Sequence, residues 1–229
     1  MRTLALALTA VLLAGCSGGS SGAAAPTGTP SVAPSADQSS ASSPTVPAPR
    51  LTAAQAERAL IGADALPAGW AVSADTLDDA THDRYDPKTC AVLALGAGAL
   101  PLARVGFTQS GDRSGSLVQT TYRPAGRTPA EALAAMRSAV SDCASYQVTR
   151  GDVVTKVKTS TTTFPAVGDG TYAVLLQYSG AMMAVSDLVV QVAVGPQLLR
   201  FDSISLGNSL TQADLEKAVR AAVDRVRAA

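Results

Sequence analysis

The chain has little of what most enzymes need. Of its 229 residues one is histidine, three are cysteine, and aromatic residues make up 4%. A Ser-His-Asp hydrolase would have to rest on His82 in Thr81-His82-Asp83, and no Gly-x-Ser-x-Gly elbow accompanies it. Gly96-Ala97-Gly98 lacks the third glycine of a dinucleotide-binding loop, so no cofactor is expected. So few rings argue against base-stacking platforms and carbohydrate-stacking clefts. Neither sign of charge is in excess, with 18 Lys and Arg against 18 Asp and Glu. Without a basic stripe to neutralise phosphates, no nucleic-acid partner is expected.

What is present begins at the N-terminus. Met1-Arg2 is followed by an apolar run of ten residues, Leu4 to Leu13, too short for a permanent membrane span. Residues 1–15 therefore read as a secretory signal. Leu13-Ala14-Gly15-Cys16 resembles the lipobox of bacterial lipoproteins, which implies that Cys16 becomes the first mature residue and carries a diacylglyceryl group. Two acyl chains give durable anchoring where one gives only reversible binding. Residues 16–50 are then a tether of Ser, Ala, Pro, Gly and Thr with two charges, Asp37 and Arg50. Such a composition buries too little apolar surface to offset the entropy of ordering it. About 179 residues remain from Leu51 onward, enough for one domain. Setting aside Arg2, Arg50 and Asp37 leaves 16 basic and 17 acidic residues there, so the charge balance holds for the domain itself.

With Cys16 lipidated, Cys90 and Cys143 form an even pair in an oxidising compartment, and a disulfide is the natural reading; two buried free thiols are the alternative. Asp86-Pro87 looks like a helix cap and first turn, with Cys90, Leu93 and Ala94 on one face. Thr128-Pro129-Ala130-Glu131 is a capping box, followed by Leu133, Met136, Val140 and Cys143 at helical spacing.

The remaining chain reads as helices around strands. Thr52-Ala53-Ala54-Gln55 caps a first helix ending near Gly62, and a short strand opens at Trp70. Arg104 to Gln109 and Ser116 to Arg123 read as a hairpin, and Val148 to Phe164 as one strand with Lys156 and Lys158 on its wet face. Tyr172 to Tyr178 puts Tyr172, Val174, Leu176 and Tyr178 on one face, and Leu188 to Val194 is apolar on both faces apart from Gln191, which places it centrally. Gly195-Pro196-Gln197 turns it into Leu198 to Leu206, and Thr211 caps a last helix striped by Leu215, Ala218, Val219, Ala222, Val223 and Val226. The expected class is α+β, a mainly antiparallel sheet flanked by N-terminal, central and C-terminal helices.

Two clusters stand out as binding candidates. Asp75, Asp78, Asp79, Asp83 and Asp86 place five carboxylates within twelve residues. They would suit a hard cation, yet the spacing matches no EF-hand loop, and solvated loop charge explains them as well. The second is an apolar cleft lined by Trp70, Tyr172, Tyr178, Met182 and Met183, side-chain types that adapt to apolar ligands and partner surfaces.

The Thr52 helix, the paired cysteines, Phe164-Pro165-Ala166-Val167-Gly168-Asp169-Gly170-Thr171-Tyr172-Ala173-Val174, the strand Asp187 to Val194 and the closing helix together resemble the PknH-like extracellular sensor domain family of actinobacteria. The resemblance spans most of residues 51–229. It implies an antiparallel sheet flanked by helices, a ligand cleft and no catalytic residues. The family's kinase member has two disulfides, whereas Cys90 and Cys143 can supply one, and no kinase segment accompanies the domain in these 229 residues, so an inward signal would need a separate partner. The reading is a lipid-anchored protein on the outer face of the cytoplasmic membrane, binding a small ligand, envelope component or partner protein without catalysis. Two alternatives stay open: an envelope hydrolase using Asp78, Asp79 and Asp83 as acid and base, and a docking subunit of an envelope complex.

Overall fold

A computed structural model describes residues 50–74, 83–95, 100–109, 115–180, 184–205 and 210–229 of the chain. The signal segment, Cys16, the tether before Arg50, Asp75, Asp78, Asp79, His82, Met182 and Met183 lie outside the described residues. The elements run in the order α1 (Ala53–Arg58), β1 (Trp70–Val72), β2 (Arg84–Asp86), α2 (Ala91–Leu95), β3 (Leu100–Gln109), β4 (Gly115–Arg123), α3 (Pro129–Asp142), β5 (Ser145–Arg150), β6 (Val153–Thr161), β7 (Gly170–Ser179), β8 (Ala184–Val194), β9 (Gln197–Ser205) and α4 (Gln212–Ala228), with 3-10 turns at Ala63–Ala65 and Lys88–Cys90.

All nine strands join one sheet in the order β1-β3-β4-β9-β8-β7-β6-β5-β2, every neighbouring pair antiparallel. The class is α+β as the sequence predicts. β8 is the middle strand, and its two apolar faces follow from helices covering both sides of the sheet. On one side α1 and α4 pack over Phe107, Leu117, Ala173, Val190, Val192, Leu199 and Phe201. On the other, α2 and α3 cover Val157, Val174, Leu176 and Val189. The edges are three-residue strands, β1 and β2, too short to template pairing with another chain.

Local signals place the helices. Thr52 and Thr128 each accept the N3 backbone N–H while Gln55 and Glu131 reach back to the cap N–H, so both capping boxes form. Thr211 caps α4 through Asp214 N–H, and all six residues of its stripe are buried. α1 stops at Arg58, earlier than Gly62, because the chain passes into the 3-10 turn at Ala63–Ala65.

Two expectations are corrected. Asp86 is no helix cap: it ends β2 opposite Gln147, and the chain enters α2 through Lys88–Cys90, where Pro87 is the cap and makes no side-chain cap bond. Burial of Tyr85 beside Val148 outweighs the local capping signal. Val148 to Phe164 is not one strand either. Gly151, with φ of 57°, and Asp152 reverse the chain so that Arg150 faces Val153. A left-handed glycine followed by Asp suits the tight turn of a two-residue hairpin.

Cys90 and Cys143 are bonded across 53 positions, and both are buried. The bond ties the entry of α2 to the end of α3. Replacing both, Cys90→Ala with Cys143→Ala, is expected to lower stability by about 4 kcal/mol for a loop of this length. Urea unfolding would show it as a lower midpoint. An unchanged midpoint would mean that the bond does not staple the fold.

Candidate functional site

Of the residues proposed to line an apolar cleft, Trp70 does not meet Tyr172 and Tyr178, while Met182 and Met183 lie outside the described residues. Trp70 belongs to the cluster beneath α1 and α4, with Ile61 and Leu66, whereas Tyr172 and Tyr178 pack against the cluster on the α2–α3 side. Alternation along β7 explains the separation: Ala173 points to the Trp70 side, and Tyr172, Val174, Leu176 and Tyr178 to the other. Of the acidic cluster, Asp83 accepts two hydrogen bonds from Arg150 at 2.7 and 2.9 Å, so its carboxylate is already engaged. No group of three metal-ligating side chains occurs among the described residues.

A different cluster does form, on the sheet face beneath α2 and α3. Its centre is Arg200 in β9, 2% exposed. The guanidinium donates to Asp202 two residues on, with Nε–Oδ1 2.8 Å and Nη2–Oδ1 2.5 Å, and Nη1 donates to the Leu93 carbonyl in α2 at 2.7 Å. Register places Gln191 of β8 directly opposite Arg200, and Val189 opposite Asp202. Asp187 follows on the same face of β8, and Tyr178 and Tyr146 stand on the rows next to it in β7 and β5. Tyr85 of β2 meets Tyr146 with ring centroids 6.3 Å apart. Strand alternation thus gathers two carboxylates, one guanidinium, one amide and three phenols beneath the disulfide-linked helices.

The electrostatics of this floor disfavour a second carboxylate charge beside Asp202. Burial alone would lower the Arg200 pKa, but the charge and hydrogen bonds of Asp202 outweigh it and keep the guanidinium firmly protonated. Asp187 is pushed well above the usual carboxylate range, first by burial and then by the Asp202 charge, against a smaller pull from Arg200. Burial raises the hydroxyls of Tyr146 and Tyr178 as well, Asp187 adding to the effect on both, and Tyr85 is pushed up to about 12 by burial and then by Asp83. The same burial that favours the neutral form of Asp187 leaves the Arg200–Asp202 pair as the matched charges of the floor.

It also carries unmet hydrogen-bonding capacity. Asp187 Oδ1, both amide atoms of Gln191 and the Tyr146 hydroxyl are buried without a partner among the described residues. Asp187 is 5% exposed, Gln191 0% and Tyr146 3%. Buried polar atoms are paired in the great majority of cases, by protein, water or ligand. Gln191 was singled out in the sequence as the one polar residue of the central strand. Arg200 and Asp202 were not, although an Arg-x-Asp pair alternating with the apolar Leu199 and Phe201 is the signal that would have found them.

No protein-family model matches the chain, and no curated protein matches it. Solved structures similar to the chain include the following two. The extracellular domain of PknH from Mycobacterium tuberculosis is 15% identical, with a TM-score of 0.47 over 70% of this chain and 83% of that one. An ortholog of Rv0999 from Mycobacterium smegmatis is 12% identical, with a TM-score of 0.42 over 72% of this chain and 92% of that one. Both are mycobacterial, and the first is a domain of the family that the sequence resembles.

The raised carboxyl gives a pH prediction. The folded-state pKa of Asp187 lies above its unfolded value of about 3.9, so the fold is fully favoured below that pH and loses stability as pH rises through it towards the folded value. Asp187→Asn is neutral at every pH. At about pH 7 it should be more stable than the wild type by an amount on the order of 1–3 kcal/mol, and the gap should close towards about pH 4. A variant less stable at neutral pH would show that the carboxylate is wanted charged.

Proposed function

We propose that this chain is a lipid-anchored surface protein whose domain, residues 51–229, lies outside the cytoplasmic membrane and binds a small neutral polar ligand without catalysis. The observation that carries the reading is the buried polar floor with unpaired donors and acceptors on Asp187, Gln191 and Tyr146, roofed by helices joined through a disulfide. The disulfide fits an oxidising compartment, and the Leu13-Ala14-Gly15-Cys16 motif fits export followed by anchoring. A protonated carboxyl, a primary amide and a phenol offer both donors and acceptors, the set that recognises amide or hydroxyl groups.

The roof supports this assignment. α2 is five residues long, fixed at its entry by Cys90 and held further on by the hydrogen bond from Arg200 to Leu93. A ligand would reach the floor by displacing Leu93 from Arg200 while the Cys90 end stays fixed. The hydrolase reading is weaker, since Asp83 is bound to Arg150 and Asp187 is held towards its protonated form beside a cation that Asp202 already neutralises.

The test takes full-length protein from an actinobacterial host. Native mass spectrometry should release a small molecule from the wild type and none from Gln191→Leu, while palmitate labelling should mark the wild type and fail on Cys16→Ser. An unlabelled wild type would remove the anchor. A wild type that releases nothing, and that no fraction of an envelope extract stabilises against heat, would remove the ligand.

A further inference from the structure

Away from the buried floor, a groove of about 420 Å³ opens where the end of β4, the start of α3 and the β8–β9 turn meet. Arg50, Arg123, Arg127, Pro129, Asp169 and Gly195 are among its lining residues. Three guanidinium groups face one carboxylate, and that carboxylate is committed elsewhere: Asp169 accepts from the Gly195 N–H at 2.6 Å and lies 3.5 Å from Arg227. Arg123 is half-buried; its Nη2 donates to the Leu51 carbonyl at 3.3 Å, and its Nε is buried with no partner among the described residues. Arg50 and Arg127 are exposed, and neither makes an ion pair with another described residue. Glu131, the nearby acid, is turned back onto the Thr128 N–H at 2.6 Å and the Thr128 hydroxyl at 2.9 Å. The capping box thus takes up the Thr128 and Glu131 N–H groups, and the arginines are the charged source of attraction in the groove.

We infer that this groove binds a phosphate ester, held by Arg50, Arg123 and Arg127. The planar guanidinium fork matches phosphate oxygens two at a time, and several such forks around one concavity favour a polyatomic oxyanion over a simple ion. A groove of about 420 Å³ has room for the group that bears the phosphate as well as the phosphate itself. The source is either a soluble phosphate ester or the headgroup of an anionic lipid. Arg50 stands 34 positions after Cys16 in the sequence. The lipid source therefore rests on the anchoring proposed above, whereas phosphate binding itself does not.

The experiment uses the chain with Cys16→Ser, which lacks the lipid, and the same chain with Arg50→Gln and Arg127→Gln added. Both substituted arginines are exposed, so an unchanged melting temperature serves as the folding control. One arm titrates sn-glycerol 3-phosphate and follows arginine side-chain nitrogen signals by NMR. The other sediments the protein with phosphatidylcholine vesicles, with and without phosphatidylglycerol. Saturable shifts in the first arm that weaken on double substitution support the site. Sedimentation with the anionic vesicles alone, reduced roughly thirtyfold by the two substitutions, assigns the phosphate to lipid headgroups. Glycerol phosphate binding without vesicle binding assigns it to a soluble ester. No response in either arm, or equal binding by the variant, overturns the inference.

Discussion

A guanidinium at the middle of a nine-stranded sheet is the constraint from which much of this molecule follows. An uncompensated buried charge costs several kcal/mol, so Arg200 must have a counter-charge within reach. Asp202 provides it from the same strand. Burial first, and then the Asp202 charge, drive Asp187 on the neighbouring strand towards its neutral form. The remaining N–H of Arg200 takes the Leu93 carbonyl, which fixes α2 over the sheet. One side chain thereby sets the charge state of the floor and the position of part of the roof. The disulfide reinforces the same arrangement from the other end of α2.

Much of the architecture was legible in the sequence because it rests on short-range signals. Capping boxes at Thr52 and Thr128 and the apolar stripe of α4 need only neighbours three or four residues away. The place of β8 could be read from Leu188 to Val194, apolar on both faces apart from Gln191, and the Cys90–Cys143 bond from counting thiols. What escaped depends on distant partners. β2 reads as polar loop because its single buried residue, Tyr85, acquires its environment only from β5 and the sheet face. The Gly151-Asp152 reversal hides in a run of Val and Thr whose alternation hardly breaks across the turn.

The candidate site shows the same limit more sharply. Alternation correctly put Tyr172 and Tyr178 on one face of β7, but it cannot relate that face to Trp70 on an edge strand at the other side of the sheet. Only the strand order decides that they look in opposite directions. Conversely, Gln191 and Arg200 meet across the β8–β9 hairpin, and the distant Tyr146 joins Asp187 there because β5 to β8 pair in register. Two chemically distinct surfaces result: a polar floor buried under α2 and α3, and an arginine-lined groove beside Arg50.

If the Arg200–Asp202 pair organises the floor, the two residues must be strongly coupled. A double-mutant cycle with Arg200→Leu, Asp202→Leu and the double variant, measured by urea unfolding, tests this most directly. Each single substitution strands a buried charge and should cost about 3–5 kcal/mol, while the double variant should lose far less than the sum, a coupling above about 2 kcal/mol. Additive losses would contradict the account, since they would mean that the two charges are accommodated independently and that the floor is organised by something else.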